Sequence, residues 1–170
     1  MIQETQTLFD FEDPSLSPRW TITNDVVMGG KSQSQMILTP HGTSLFQGSL
    51  SLENQGGFAS ARLENLTANL SPYTGISIRV RGDGKHYQFR LHATAEGQEI
   101  TYRHTLDTEP GTWETFRFPF ADFEPISRGT VLNQAPPLMP ENVAGAGFLI
   151  SGGQSGDFRL EISWIKAYLD

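Results

Sequence analysis

Apolar and polar residues alternate with a period of two along most of this chain, and that pattern constrains the fold more than any other feature. The clearest runs are GISIRVRG, HYQFRLHA, EITYRHTL, TFRFPF and DFRLEISWI. In the last of them the alternation places Phe158, Leu160, Ile162 and Trp164 on one side. Such alternation is typical of half-buried antiparallel strands. The sequence therefore predicts strands rather than helices.

Shorter strand candidates fill much of the remaining chain: TLFDF, WTITN, SQMIL, SLFQGSLSL, FASARLE and GFLIS. Glycines and other turn residues separate the runs, and no amphipathic helix longer than about two turns is found. Roughly ten or eleven short strands predict an all-β fold, a jelly-roll β-sandwich of two packed antiparallel sheets. We expect a single domain over residues 1–170, with the proline-rich NQAPPLMPENVAG as one long surface loop.

Composition excludes several classes of function. The chain has no cysteine, which removes disulfides, thiolate metal sites and a cysteine nucleophile and suits a reducing compartment. A net charge of -7 argues against nucleic-acid and anionic-membrane partners. No window has the length of an apolar membrane helix, and the start MIQETQTLFDFED resembles neither a signal nor a transit peptide. We therefore expect a soluble, cytoplasmic protein without direct membrane insertion.

Two glycine-rich segments resemble nucleotide-binding loops, but their context does not fit. NDVVMGGKS places Asp25 where a P-loop needs its first glycine, and a strand-like segment follows where a helix is required. SGGQSGD leads into the period-two FRLEISWI, so we expect a hairpin loop there and no dinucleotide fingerprint. The sequence predicts no cofactor, no ATP or NAD binding and no catalytic residue. A pair of carboxylates facing one pocket stays open as an alternative, because sequence alone cannot pair them.

Arginine is the residue type that most suggests a binding surface. The chain has nine arginines against three lysines, and several alternate away from the apolar side of central strands. The candidate face comprises Arg79, Arg81, Arg90 and Arg103, with Gln88 and His92 among them. Guanidinium groups suit bidentate contact with carboxylate or phosphate, provided that these strands are neighbours. The alternative is a solvated sheet face whose arginines pair with local acids such as Glu99 or Glu114.

Candidates for a metal site are few. Asp10, Glu12 and Asp13 stand close together near the start of the chain, and carboxylate oxygens at that density can hold calcium. An acidic turn is the alternative, since the spacing lacks the EF-hand pattern. The four histidines show no metal-binding spacing.

Five blocks, taken in order, resemble one protein family. They are WTITNDVVMGGKSQS, FQGSLSLENQGGFASAR, IRVRGDGKHYQFRL, FPFADFEPISRG and GFLISGGQSGDFRLEISWIKA, which run from Trp20 to Ala167. Together they resemble the complex I intermediate-associated protein 30 family. That resemblance implies a galactose-binding-like β-sandwich. It also implies a non-enzymatic assembly factor or chaperone for respiratory complex I or a related, for example photosynthetic, electron-transfer complex.

The resemblance also selects positions in three loops or strands. The matching residues are Asn24, Asp25, Met28, Gly29, Gly30 and Ser32, then Asn54, Gly56, Gly57, Phe58, Ser60 and Arg62, then Arg79, Arg81, Asp83, Gly84 and Tyr87. We interpret NDVVMGGKS as a structured loop that braces one mouth of the sandwich beside ENQGGFAS, and that is either structural or part of a binding rim. The candidate partner-binding set therefore adds to the arginine face the residues Asn24, Asp25, Met28, Lys31, Ser32, Arg62 and Asp83.

Two functions compete on this basis. The first is an interaction module whose protein client is a subunit or intermediate of a membrane electron-transfer complex. The second is a carbohydrate-binding module of the jelly-roll type with a glycan ligand. Sugar binding usually uses aromatic platforms on an exposed face, and the alternation places Tyr87 and Tyr102 on the apolar side. The first function is therefore favoured.

Overall fold

Thirteen strands make up most of the described residues, which in this computed structural model are 5–11, 20–24, 32–51, 57–63, 66, 68–127, 130–151 and 154–170. The strands are β1 (Thr5–Asp10), β2 (Thr21–Asn24), β3 (Gln33–Leu38), β4 (Ser44–Leu50), β5 (Ala59–Leu63), β6 (Gly75–Arg81), β7 (His86–Ala95), β8 (Gln98–Asp107), β9 (Trp113–Pro119), β10 (Glu124–Ser127), β11 (Thr130–Val131), β12 (Val143–Ile150) and β13 (Gly156–Tyr168). Within those ranges the helical segments are two short 3-10 turns, Phe120–Asp122 and Pro140–Asn142.

The strands form two antiparallel sheets. Sheet A has the order β3-β4-β13-β6-β9, and β1 also pairs with β13. Sheet B has the order β11-β10-β8-β7-β12-β5-β2. This arrangement confirms the predicted all-β sandwich of two packed antiparallel sheets.

The core lies between the sheets, where the period-two alternation turns the apolar side chains inward. Ile76 and Ile78 of β6 and Phe89 and Leu91 of β7 are fully buried. Phe89 of sheet B stacks with Phe118 of sheet A at 6.0 Å between ring centroids. Burying one such side chain stabilises a fold by roughly 1.5–3 kcal/mol, so these inner rows hold the two sheets together. The polar residues of the same strands lie on the outer faces of the sheets.

A β-bulge in β13 reverses one expectation. The ladder with β6 shifts between Ile162, which faces Val80, and Trp164, which faces Arg79. A bulge inserts one extra residue into a strand, and the alternation changes phase there. Ile165 is therefore buried, whereas Trp164 lies half-buried on the outer face beside Lys166. The prediction that Trp164 continues the apolar row of Phe158, Leu160 and Ile162 is wrong.

The glycine-rich segment before β13 does not form the predicted hairpin. β12 belongs to sheet B and β13 belongs to sheet A, so the chain passes from one sheet to the other between Ile150 and Gly156. The segment is still followed by a strand, in agreement with the absence of a dinucleotide fingerprint. Likewise β3 follows residues 25–31, which themselves lie outside the described ranges.

Two short strands, β10 and β11, were not predicted. β10 contains Pro125, and β11 has only two residues, so neither shows a readable alternation. The predicted surface loop is shorter than expected, because β12 already begins at Val143. The loop is tied to sheet B by the Tyr102 hydroxyl, which donates a hydrogen bond to the Pro136 carbonyl at 2.9 Å.

None of the helical segments in the described residues has the length and apolarity needed to cross a lipid bilayer.

Candidate functional site: the outer face of sheet B

The central strands of sheet B direct a polar row outward. β7 presents Gln88 and Arg90 to the outside while Phe89 is buried beneath them. β8 presents Arg103 in the same way above the buried Tyr102. Arg90 and Arg103 are direct cross-strand neighbours, and both are half-buried. We call the outward residues Arg62, Gln88, Arg90, His92 and Arg103 the sheet B patch.

Two like charges face each other in this patch. Within the described residues neither Arg90 nor Arg103 forms a salt bridge. The Gln88 side-chain oxygen accepts hydrogen bonds from Nε and Nη2 of Arg90 at 3.0 and 2.8 Å, which fixes the orientation of that guanidinium. Burial and the charge of Arg103 lower the pKa of Arg90 to about 10. Like charges directly opposite in a sheet are destabilising, so this pair needs an explanation other than stability.

An ion pair crosses the patch beside the arginines. Nη2 of Arg62 on β5 lies 2.6 Å from Oε1 of Glu99 on β8, with β12 and β7 between the two strands. His92 lies buried on the intervening β7, and its Nδ1 is 2.9 Å from the Thr101 hydroxyl. Burial and the nearby charge of Arg62 lower the pKa of His92 to about 4, against the opposing effect of Glu99. His92 is therefore a neutral structural element of the patch near pH 7.

A groove of about 800 Å³ continues the patch towards the edge of the sheet. Arg90 and Thr101 line it on the side of the patch. Ile126 of β10 lines it as well, together with Leu132 and Pro136 of the loop that follows β11. Volumes of this size are usual for ligand sites. Here the lining combines one guanidinium and these apolar residues with Glu96, Glu99 and several neutral polar side chains.

The structure divides the predicted arginine face between the two sheets. Arg79 and Arg81 are on β6, so they belong to the outer face of sheet A and not to that of sheet B. Both lie against the Trp113 ring, at 5.2 and 5.0 Å from its centroid. Arg81 also forms a 2.7 Å salt bridge with the buried Glu161, whose other oxygen accepts a hydrogen bond from Thr43. On sheet A the alternative of internally paired arginines therefore applies, although the partner acid of Arg81 is Glu161.

Asp83, Gly84 and Tyr87 brace a turn. Oδ1 of Asp83 accepts hydrogen bonds from the Tyr87 hydroxyl at 2.9 Å and the Lys85 amide at 3.1 Å, and Oδ2 accepts one from the Arg159 amide at 2.8 Å. Gly84 has a φ of 90°, which favours glycine. Burial and the negative charge of Asp83 raise the pKa of Tyr87. Both carboxylate oxygens of Asp83 therefore accept hydrogen bonds from within the fold.

Only the ends of the NDVVMGGKS loop are described. Asn24 accepts a hydrogen bond from the Ser34 hydroxyl. Ser32 is fully buried, and its hydroxyl accepts a hydrogen bond from the Ser51 amide at 3.0 Å, so it joins β3 to the end of β4. Both contacts are structural. The other candidates of this region lie outside the described residues: Asp25, Met28, Gly29, Gly30, Lys31, Asn54 and Gly56.

The calcium candidates are only partly described. Asp10 ends β1 opposite Trp164, whereas Glu12 and Asp13 lie outside the described residues. In the ranges that the structure describes, no three His, Asp or Glu side chains group together as metal ligands.

Sequence reasoning missed two outward tryptophans on sheet A. Trp113 lies between Arg79 and Arg81, and the Lys166 ammonium lies 4.3 Å from the Trp164 ring centroid. The alternation in TFRFPF does place Trp113 on the outward side once the strand is extended by two residues, to Trp113. The bulge that turns Trp164 outward leaves no comparable sign in the sequence.

Comparison with known proteins connects this fold to a family. The family model described as complex I intermediate-associated protein 30 matches residues 9–162. The chain belongs to this family. It is 28% identical to the mitochondrial complex I intermediate-associated protein 30 of Drosophila melanogaster, over 98% of this chain and 64% of that protein. It is 24% identical to the mouse protein of the same name, also mitochondrial, over 100% of this chain and 58% of that protein. The chain thus spans less than two thirds of the length of these two relatives.

Solved structures confirm the jelly-roll fold of this family member. The family 11 carbohydrate-binding module of a cellulosomal cellulase from Clostridium thermocellum superposes with a TM-score of 0.74 at 15% identity, over 98% of this chain and 95% of that one. A family 30 carbohydrate-binding module superposes with a TM-score of 0.62 at 14% identity, over 98% of this chain and 88% of that one. At such identities the likeness shows the fold alone.

Proposed function

We propose that the chain is a non-enzymatic protein-interaction module that assists assembly of respiratory complex I or a related membrane electron-transfer complex. Membership of the complex I intermediate-associated protein 30 family, matched over residues 9–162, is the observation that carries this proposal. The relatives from fly and mouse are named for association with complex I intermediates. Because the chain spans only part of their length, the role of the whole relatives is carried over here as a proposal.

The client contact is assigned to the sheet B patch. Arg90 and Arg103 are half-buried and form no salt bridge within the described residues, whereas Arg81 and Arg117 of sheet A pair with Glu161 and Asp170. Arginine whose charge is not neutralised by its own fold is a typical anchor for a partner protein. On sheet A, Arg79, Arg81 and Arg117 already contact an acid or an aromatic ring.

Affinity capture from detergent-solubilised membranes of the source organism tests the proposal. The wild type should recover subunits of a respiratory or photosynthetic complex, and the double reversal R90E/R103E should lose them. The reversal R79E/R117E changes the charge equally on the opposite sheet and should retain them. Both variants should keep a thermal midpoint close to that of the wild type, because half-exposed charges contribute little to stability. Recovery of no complex subunit by the wild type would refute the assembly role.

A carbohydrate-binding module is the second candidate, and one observation favours it. Trp113 and Trp164 lie on the outer face of sheet A, where aromatic rings could stack on sugars. However, Arg79, Arg81 and Lys166 already occupy the faces of these rings. A glycan array with the wild type and with W113A/W164A separates the two functions. Tight, tryptophan-dependent glycan binding would replace the assembly proposal.

A further inference from the structure

One row of residues crosses five neighbouring strands on the outer face of sheet B. The strand registers place Arg62 of β5 beside Gly147 of β12, Gly147 beside Arg90 of β7, and Arg90 beside Arg103 of β8. Beyond Arg103 the row ends at Glu124 of β10. Directly opposite side chains in an antiparallel sheet have Cβ atoms about 4.5–5.5 Å apart. The guanidinium groups of Arg90 and Arg103 can therefore reach the same small ligand.

The electrostatics of this pair favour an acidic ligand. Two cations face each other in a half-buried position, and in the described residues no carboxylate forms a salt bridge with either. Gln88 occupies Nε and Nη2 of Arg90 and leaves Nη1 for a ligand. A carboxylate placed between the two arginines would accept charge-assisted hydrogen bonds from both, which are about twice as strong as neutral ones. It would also remove the repulsion between them.

We propose that Arg90 and Arg103 bind the carboxylate of an acidic side chain in an extended segment of a partner protein. Apolar side chains next to that acid would lie in the adjoining groove, against Ile126, Leu132 and Pro136. The inference rests on the proposed function, since it names the chemistry by which the sheet B patch would hold its client. It assigns a ligand class to a site that combines a positive centre with an adjoining groove of mixed polar and apolar lining.

The surroundings of the pair distinguish a single carboxylate from a polyanion. Glu96 and Glu99 line the same groove, and Glu124 lies next to Arg103. The net charge of the chain is -7. A nucleic acid or an anionic membrane presents many negative charges and would be repelled by these acids. A single carboxylate flanked by neutral residues can contact the two arginines without placing further negative charge near Glu96, Glu99 and Glu124.

A peptide titration tests the assignment. The probes are the blocked pentapeptide acetyl-Ala-Leu-Glu-Leu-Ala-amide and the same peptide with Gln in place of Glu. Side-chain Nε signals of Arg90 and Arg103 and methyl signals of Ile126 and Leu132 are followed by NMR. We expect saturation by the Glu peptide with a Kd on the order of 1 mM, as for a few contacts without further interface. The Gln peptide should bind about tenfold more weakly.

Matched variants separate the site from the fold. R103Q should weaken binding of the Glu peptide about tenfold, whereas R117Q on sheet A should leave it unchanged. R103Q should also keep or raise the thermal midpoint, because it removes the like-charge contact with Arg90. A loss of binding by R103Q together with a lower midpoint than that of R117Q would overturn the assignment, because Arg103 would then be structural.

The remaining outcomes are also decisive. Equal binding of both peptides would overturn the carboxylate assignment and leave an apolar groove. Tighter binding of inorganic tripolyphosphate than of the Glu peptide would overturn it in favour of a general anion site. Selective peptide binding without recovery of complex subunits from membranes would support the site and refute the assembly role. Recovery of subunits without peptide binding would refute the site and place the client contact elsewhere.

Discussion

At the scale of single residues, burial decides how much each ion pair contributes to stability. Arg62, Arg81 and Arg117 each lie 2.6–2.7 Å from a carboxylate oxygen, yet their partners Glu99, Glu161 and Asp170 differ in exposure. The Glu161 side chain is 4% exposed and the Asp170 side chain 61%. Similar geometry therefore gives contacts of different energetic weight, since water and salt screen the exposed pairs.

Glu161→Gln is expected to lower the free energy of unfolding by roughly 1–3 kcal/mol, because a buried charged hydrogen-bond network loses its acceptor charge. Burial alone would raise the pKa of Glu161, but hydrogen bonds from Thr43 and Arg81 and the charges of Arg81 and Arg159 lower it overall. Urea unfolding at pH 7 measures the loss. Asp170→Asn, in an exposed pair of the same 2.7 Å length, is the control and should cost well under about 1 kcal/mol. Equal losses in the two variants would contradict the argument.

His92 makes stability depend on pH. Its folded-state pKa is lowered from 6.5 to about 4, so between these values the unfolded chain takes up a proton that the folded protein refuses. The free energy of unfolding therefore falls as the pH falls from 6.5 to about 4. At about 1.4 kcal/mol per pKa unit, the total loss is roughly 3 kcal/mol.

Urea unfolding between pH 7 and pH 5 measures this slope in wild type and His92→Gln. The variant should lose the part of the slope that His92 contributes, whatever its absolute stability. His86→Gln, at a side chain that is 69% exposed, is the control for the general effect of replacing a histidine. An unchanged slope in His92→Gln would show that the folded-state pKa of His92 is not lowered.

At the scale of elements, β12 depends on its glycines. A Cβ added to Gly147 would lie 2.5 Å from the backbone oxygen of Ala61 on β5. Backbone atoms of a central strand cannot move aside as a flexible side chain can. The glycine therefore keeps β5 and β12 paired, and it leaves open the space between Arg62 and Arg90 in the outer row.

Gly147→Ala is expected to lower the free energy of unfolding by about 1–3 kcal/mol, the usual cost of overpacking. Ala144→Ser, at an exposed position of the same strand, is the control and should change stability by less than about 0.5 kcal/mol. Thermal unfolding of both variants tests the difference. A Gly147→Ala protein as stable as the wild type would mean that β12 can shift freely against β5.

Local pattern also determined which elements the sequence could predict. The long runs that became β6, β7, β8 and β13 alternate over at least seven residues, so one face could be read directly. The four residues of β10 and the two of β11 offer no period to read. The bulge before Trp164 is set by pairing with β6, which no local pattern records.

At the scale of the whole molecule, the sequence predicted the strands but not their sheets. Arg79 and Arg90 are separated by one turn in sequence, yet β6 and β7 belong to different sheets. The predicted arginine face is therefore two separate faces. On sheet A, Arg81 and Arg117 form salt bridges, whereas on sheet B, Arg90 and Arg103 form none within the described residues. Family resemblance predicted the fold and the relatives, because it draws on the entire chain. It could not say which face binds, since that depends on which strands are neighbours.

A chain that ends at Ser155, before β13, is expected not to fold. β13 lies in the middle of sheet A and pairs with β1, β4 and β6, so its removal takes away the described partner of β1 and separates the pair β3-β4 from the pair β6-β9. Near-ultraviolet circular dichroism and NMR dispersion would detect the loss of fixed packing. A chain that starts at Trp20 is the milder comparison. It lacks only β1 among the described strands, which pairs with the end of β13, and it should keep dispersed signals. Native-like spectra of the first truncation would contradict the expectation.

The position of β13 has a consequence for synthesis on the ribosome. Thr5 finds its partner only when Tyr168 has emerged, and β4 and β6 wait for the same strand. Until then the nascent chain carries open strand edges and uncovered apolar faces, the state in which β-proteins aggregate. A protein proposed to assist the assembly of another complex is therefore itself exposed to aggregation until its last strand has been made.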